Sequence, residues 1–321
     1  MRTQMNRAVP AAAAFGALAF ALAACANTGA GTSTGAGPQA VVRTPALGPI
    51  SAISSPGQIT RPIDPYLPTP AQAHELEAAA YAVTARCMAG YGLTALPTTP
   101  TDFVTLARQA EIRNQLYGFF DPAVVASEGY DVLVQAPATR GIPSAAQVSV
   151  LTGRTEDGAV VTSYQGRAIP SGGCHQVALN AIGGWPPVPG ASGSLPGGGP
   201  QAPLTDPRVV HVDAEWSACM KSKGYAYATP ADAYADARWR PAPGASLGGT
   251  ASVPSGEIAT ASADQSCKQA TDLMGIAVAV QTAYDEQYVA SHATELAAYK
   301  QRLEDRVGEA SRLLAAGGRT G

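Results

Sequence analysis

The five cysteines, Cys25, Cys87, Cys174, Cys219 and Cys267, are the residues of this chain best suited to chemistry. A thiol can ligate a soft metal, exchange with another thiol, accept a lipid or close a structural disulfide. Metal ligation needs cysteine and histidine clustered at short spacing. There is no CxxC and no HExxH, and His74, His175, His211 and His292 are scattered. Cys174 and His175 are adjacent, so on a helix their side chains point in different directions. The expectation is no metal and no cofactor. A serine nucleophile would call for an SxxK pair or a GxSxG elbow between a strand and a helix, and neither is found. Gly197-Gly198-Gly199 lies in a proline-rich stretch, not at a strand–helix junction that could cradle phosphate. Glycoside hydrolysis needs two carboxylates across a cleft, and nothing selects a pair from Glu111, Asp121, Glu128, Asp131, Glu215 and Asp264. No residue is read as catalytic.

Cys25 stands apart from the other four. Arg2 and Arg7 precede an apolar stretch, Ala8 to Ala24, that is too short and too rich in alanine for a membrane span. Leu22-Ala23-Ala24-Cys25 resembles the bacterial lipobox, in which small residues admit the lipoprotein peptidase and the thiol receives a diacylglycerol. That resemblance implies a signal peptide over 1–24, cleavage before Cys25, and a chain held on the extracytoplasmic face of the cell membrane. A conventional cut at a nearby Ala-x-Ala is the competing reading. One acyl chain anchors only marginally, whereas the two or three chains of a lipoprotein cysteine hold it permanently.

Removing 1–24 takes away two arginines and no acids from a chain of net charge −3. The remaining acidity argues against nucleic acid as a partner. The chain is 46% hydrophobic but only 6% aromatic, and much of the apolar content is alanine. That composition favours close helix contacts over a core of large side chains. The fold class read from the sequence is mainly α, with two helical lobes and a long C-terminal helix or helical hairpin.

Residues 25–68 are rich in Gly, Ser, Thr, Ala and Pro and read as a flexible tether. An N-terminal lobe follows over 69–183. Its first helix opens at Thr69-Pro70 and is stopped by Gly90 and Gly92. Further helices are expected over Asp102 to Leu116, from Asp121 to Gly129, over Ser144 to Leu151, and from Gly172 through Ile182, with a strand over Val160 to Tyr164. Residues 184–204, with Trp185-Pro186-Pro187, read as a linker. The C-terminal lobe spans 205–316, with helices from Asp206-Pro207 to Gly224 and from Thr229-Pro230 through Trp239. A helical pattern then runs from Glu257 to Leu314, roughly 90 Å if unbroken, or interrupted near residues 290–292. Its apolar stripe could pack on its own domain or form a coiled coil with a partner. Residues 317–321 read as a disordered tail.

One local pattern occurs twice. Cys87-Met88 and Cys219-Met220 are each followed by three residues, then glycine (Gly92, Gly224) and a large side chain (Leu93, Tyr225). Each pair ends a helix, and each half has one later cysteine near a helix, Cys174 or Cys267. The economical pairing is Cys87 with Cys174 and Cys219 with Cys267; four cysteines permit three connectivities, and crossed pairing is the rival.

Trp216-Ser217-Ala218-Cys219-Met220 with Gly224-Tyr225 resembles the WSxCM…GY segment of uncharacterised secreted lipoproteins from actinobacteria. Tyr117-Gly118, Gly129-Tyr130, Ile169-Pro170-Ser171-Gly172-Gly173-Cys174 and Ala263-Asp264-Gln265-Ser266-Cys267-Lys268 are similar to the same group. The resemblance implies a helical, disulfide-linked envelope protein and brings no activity with it.

Binding is therefore the functional expectation. Trp185, Trp216, Trp239 and tyrosines such as Tyr91, Tyr225 and Tyr227 could stack on sugars or anchor a protein. Trp216 reads as core, because it lies three residues before Cys219 on the same helical face. Trp239, flanked by Arg238 and Arg240, is the candidate for surface recognition. The sequence thus predicts a lipid-anchored, non-catalytic binding or accessory component of the cell envelope, its partner an envelope protein, for example of a transport complex. Peptidoglycan is the alternative ligand, and a wall hydrolase the enzymatic alternative.

Overall fold

The computed structural model describes residues 44–95, 100–130, 143–239 and 253–317. Cys25, Arg240 and residues 318–321 lie outside these. The described residues form ten α-helices and two two-stranded sheets. They are α1 (Pro70–Ala89), α2 (Phe103–Ile112), β1 (Arg113–Asn114), β2 (Gly118–Phe119), α3 (Val125–Glu128), α4 (Ala145–Thr152), β3 (Ser163–Tyr164), β4 (Arg167–Ala168), α5 (Gly173–Ala181), α6 (Pro207–Ser222), α7 (Pro230–Tyr234), α8 (Ser255–Ala270), α9 (Leu273–Ser291) and α10 (Ala293–Gly317).

The helix starts follow from local chemistry. The Thr69 side chain accepts from the Gln72 amide and Pro70 occupies the first turn, where its missing N–H costs nothing. Asp206 and Pro207 open α6 the same way, with the Asp206 carboxylate accepting from the Arg208 amide. Helix α6 buries Val209, Val212, Trp216 and Met220, a stripe at helical spacing.

The repeated Cys-Met segments share one geometry. The Leu93 amide donates to the Met88 carbonyl at 3.1 Å, and the Tyr225 amide donates to the Met220 carbonyl at 3.0 Å. Between them Gly92 (φ +73°) and Gly224 (φ +90°) take the left-handed conformation that closes a helix this way. Met88 and Met220 are both buried beneath the turn. The disulfides pair as the repeat suggests: Cys87–Cys174 joins α1 to α5, and Cys219–Cys267 joins α6 to α8, with Cα–Cα distances of 5.6 and 5.7 Å.

Each disulfide sits in its own apolar cluster. Met88, Val150, Ile169 and Cys174 surround the first. Phe119, Tyr130, Val212, Trp216, Met220, Cys267, Leu273 and Val280 belong to the larger cluster around the second. The start of α5 is pressed on the end of α4: a Cβ at Gly173 would lie 2.4 Å from the Leu151 carbonyl oxygen. That close approach helps bring Cys174 to Cys87.

The two groups do not follow the sequence halves, and residues 44 onward form one compact unit. Helix α10 lies on α1, where Leu303 and Ala310 pack with Leu76, Ala79 and Ile182, and Leu296, seven residues before Leu303, is buried with Ile63, Leu195 and Tyr288. Its stripe is therefore covered within the chain. Conversely, Ile112, Phe119, Phe120, Val125 and Tyr130 pack in the core of the second group, against α7 and α8.

Several sequence expectations are corrected here. Residues 44–68 are not a loose tether: Leu47, Ile53 and Ile59 pack on the larger core and Ile63 is fully buried. Arg61 clamps this segment to α9 through two hydrogen bonds to Asp285, at 2.7 and 2.9 Å. Isolated isoleucines show no period, which is why the sequence reads as loose. Residues 184–204 are also folded in, with Leu195 buried and the Tyr288 hydroxyl donating to the Pro196 carbonyl at 2.7 Å. The long C-terminal pattern is interrupted at His292, as one of its two readings had it, and also at Asp272, a second break not expected, where a φ of +52° precedes the start of α9. Helix α2 stops at Ile112 and gives way to the β1–β2 hairpin, and of the strand expected over Val160 to Tyr164 only Ser163–Tyr164 forms, as β3, while Val160 makes an isolated bridge with Arg154. Gly317 is the last residue of α10 rather than part of a tail.

Candidate functional site

The segments around Trp216, Tyr117, Tyr130 and Asp264 converge, and they converge inside, whereas Ile169 and Cys174 lie in the other cluster. Trp216 from α6 donates its Nε1–H to Asp264 Oδ1 at 2.9 Å. Lys268, one helical turn after Asp264 on α8, donates Nζ–H to Asp264 Oδ2 at 2.7 Å and to the Phe119 carbonyl at 2.6 Å. Gln265 donates to the same carbonyl at 3.0 Å. Asp264, Lys268, Trp216 and Tyr130 are all sealed from solvent. Burial pushes the Asp264 carboxyl up and the Lys268 ammonium down, and the mutual attraction of the pair opposes both shifts. Tyr130, buried beside Asp264, is held far above the ordinary tyrosine range by burial and then by the charge of Asp264.

This is the most chemically loaded cluster among the described residues, and no substrate reaches it. Its work is to lock α6, α8 and the β1–β2 hairpin together. Sequence reasoning places Trp216 in the core but misses Lys268 as its neighbour, because lysine is among the residues least often buried.

Trp239 is a correction. It lies in the large core at 9% exposure, with its Nε1–H donating to the Ala233 carbonyl at 2.9 Å. The Arg238 guanidinium lies 4.8 Å from the ring centre and also binds Asp236 and the Tyr227 hydroxyl, at 2.6 Å each. These bonds hold the Asp236 carboxyl well below the usual range, while burial and the Asp236 bond push Tyr227 up to about 12. Arg238 thus caps the indole.

Two other surface features present binding chemistry. The first is Trp185, 69% exposed, where Trp216 and Trp239 are buried. Its loop is held from below by Arg306 of α10, which donates to the carbonyls of Ile182 (2.8 Å), Gly184 (3.2 Å) and Trp185 (2.8 Å). The His175 ring stands 4.9 Å from the indole, tilted by 54°. The sequence signal was available in Trp185-Pro186-Pro187, because a tryptophan beside two prolines cannot sink into a helix face.

The second is a groove of about 520 Å³ along α6, lined among others by Leu204, Val210, Asp213, Ala214, Ala218 and Lys221. Asp213 Oδ1 is buried there without a hydrogen-bond partner among the described residues. Desolvation, and then the charge of Asp232, push its carboxyl up to about 6. Between the ordinary value and 6 the folded state keeps a proton that the unfolded chain releases, so stability falls as pH rises through that window. Asp213→Asn is therefore expected to stabilise the protein by about 1–2 kcal/mol at pH 7, discounted for partial solvation. The gain should vanish by pH 4, which urea unfolding at the two pH values checks.

Among the described residues no group of three His, Cys, Asp or Glu could hold a metal, and no helix is long and apolar enough to cross a membrane. Comparison with protein-family models, with curated proteins and with solved structures finds no match to this chain.

Proposed function

We propose that this chain is a lipid-anchored, extracytoplasmic protein that binds a partner and catalyses nothing itself. The lipobox-like Leu22-Ala23-Ala24-Cys25 supports the anchor, and the observation that carries the binding reading is Trp185. An indole exposed to 69% keeps a large apolar face in water. The three Arg306 hydrogen bonds hold its backbone in place, so little ordering is needed when a partner lands on it. Such rigid aromatic anchors dominate protein interfaces, and the favoured partner is an envelope protein. A flat, accessible indole also suits a sugar ring, which keeps cell-wall glycan as the second reading.

Intact-mass analysis of natively produced protein should find a diacylglyceryl group on Cys25; an unmodified cysteine overturns the anchor. Cross-linking in membranes should capture an envelope protein, while retention on purified peptidoglycan would select the glycan. Trp185→Ala is expected to weaken the interaction at least tenfold, with the melting temperature unchanged. Turnover of wall material that is abolished by changing one carboxylate would overturn the non-catalytic reading.

A further inference from the structure

We propose that the groove along α6 is a second binding site, which takes an extended peptide with its lysine-type ammonium seated on Asp213. Asp213, at the groove wall, has its Oδ1 buried without a partner among the described residues, although a native structure rarely leaves a buried carboxylate oxygen unmet. The contrast with Asp232 is informative. That carboxylate is satisfied within the chain, accepting from the Thr229 amide at 2.9 Å and hydroxyl at 2.8 Å. Asp232 adds negative potential at Asp213. A cation seated in the groove would offset both charges and, with the Asp213 side chain turned outward to meet it, supply the missing donor.

The rest of the groove describes what carries that cation. Val210 and Leu204 are 54% and 47% exposed, unusually open for large apolar side chains, and Ala214 and Ala218 continue the apolar floor along the helix. Lys221 closes the far end, about 12 Å from Asp213 at 1.5 Å per helical residue. An extended peptide covers that distance in about four residues. The fitting ligand therefore presents a lysine, small apolar residues, and an acid four positions later, opposite Lys221. A free amine would use Asp213 and leave the apolar floor uncovered.

The site is independent of Trp185, and its test is too. Isothermal titration of the whole chain would use acetyl-Lys-Val-Ala-Val-Glu-amide, the same peptide with norleucine in place of lysine, and n-butylammonium. The lysine peptide is expected to bind at least tenfold more tightly than either of the others. Asp213→Asn should remove that preference while raising the melting temperature at pH 7, which separates lost recognition from a damaged fold. Trp185→Ala should leave it unchanged. Equal binding of the lysine and norleucine peptides, no binding of either, or a preference that survives Asp213→Asn would overturn the proposal. Binding of n-butylammonium as tight as that of the peptide would overturn the peptide as its occupant.

Discussion

Asp264→Leu is expected to destabilise the protein by about 3–5 kcal/mol, read as a lower midpoint of urea unfolding. The substitution leaves the Lys268 ammonium in a fully buried position with one carbonyl for company. The attraction that opposed its desolvation is gone, and a lone buried charge is the most costly outcome. Removing both charges is a different experiment. In Asp264→Leu/Lys268→Met no buried ion remains, and the Phe119 carbonyl still accepts from Gln265. Only the Trp216 Nε1–H loses its partner, so the double variant is expected to cost about 1–3 kcal/mol. A double variant no better than Asp264→Leu would show that the pair is not the source of the loss.

The pH dependence of Lys268→Met gives the complementary reading. Without the ammonium, burial of Asp264 is opposed mainly by the Trp216 hydrogen bond, and its carboxyl rises further. The folded state then binds a proton more tightly than the unfolded chain does. Stability is lost as pH rises above the unfolded carboxylate range, and the deficit relative to the parent should shrink between pH 7 and pH 5.

The second large effect is the loss of either disulfide. Cys219–Cys267 closes a separation of 48 residues and Cys87–Cys174 one of 87. The chain-entropy relation then gives about 4 kcal/mol for the first and slightly more for the second. Replacing both cysteines of a pair with serine should lower the unfolding midpoint accordingly. Both variants carry an added cost, because Cys174 and Cys267 are each fully buried in an apolar cluster where a serine hydroxyl is poorly matched. Peptide mapping without reduction should recover Cys87 with Cys174 and Cys219 with Cys267. A crossed pair in that map would contradict the packing of α5 on α1.

The sequence by itself determined what neighbours along the chain decide. Helix starts at Thr69-Pro70, Asp206-Pro207 and Thr229-Pro230, and helix ends at Gly92 and Gly224, depend on hydrogen bonds within a turn of the chain. Two copies of one such ending, each beside a cysteine, were enough to suggest the pairing, and the helical stripe through Trp216 was enough to place it inside. The tertiary structure decided everything that rests on distant surfaces meeting. It placed α10 on α1 and residues 112–130 in the second group, buried Trp239 under Arg238, left Trp185 exposed and left Asp213 Oδ1 buried without a partner among the described residues. It also set Lys268 against the Phe119 carbonyl, 149 positions away. The period of a helix says which residues share a face. Which face meets which depends on the joint fit of all the elements, and one segment carries no information about the shape of another.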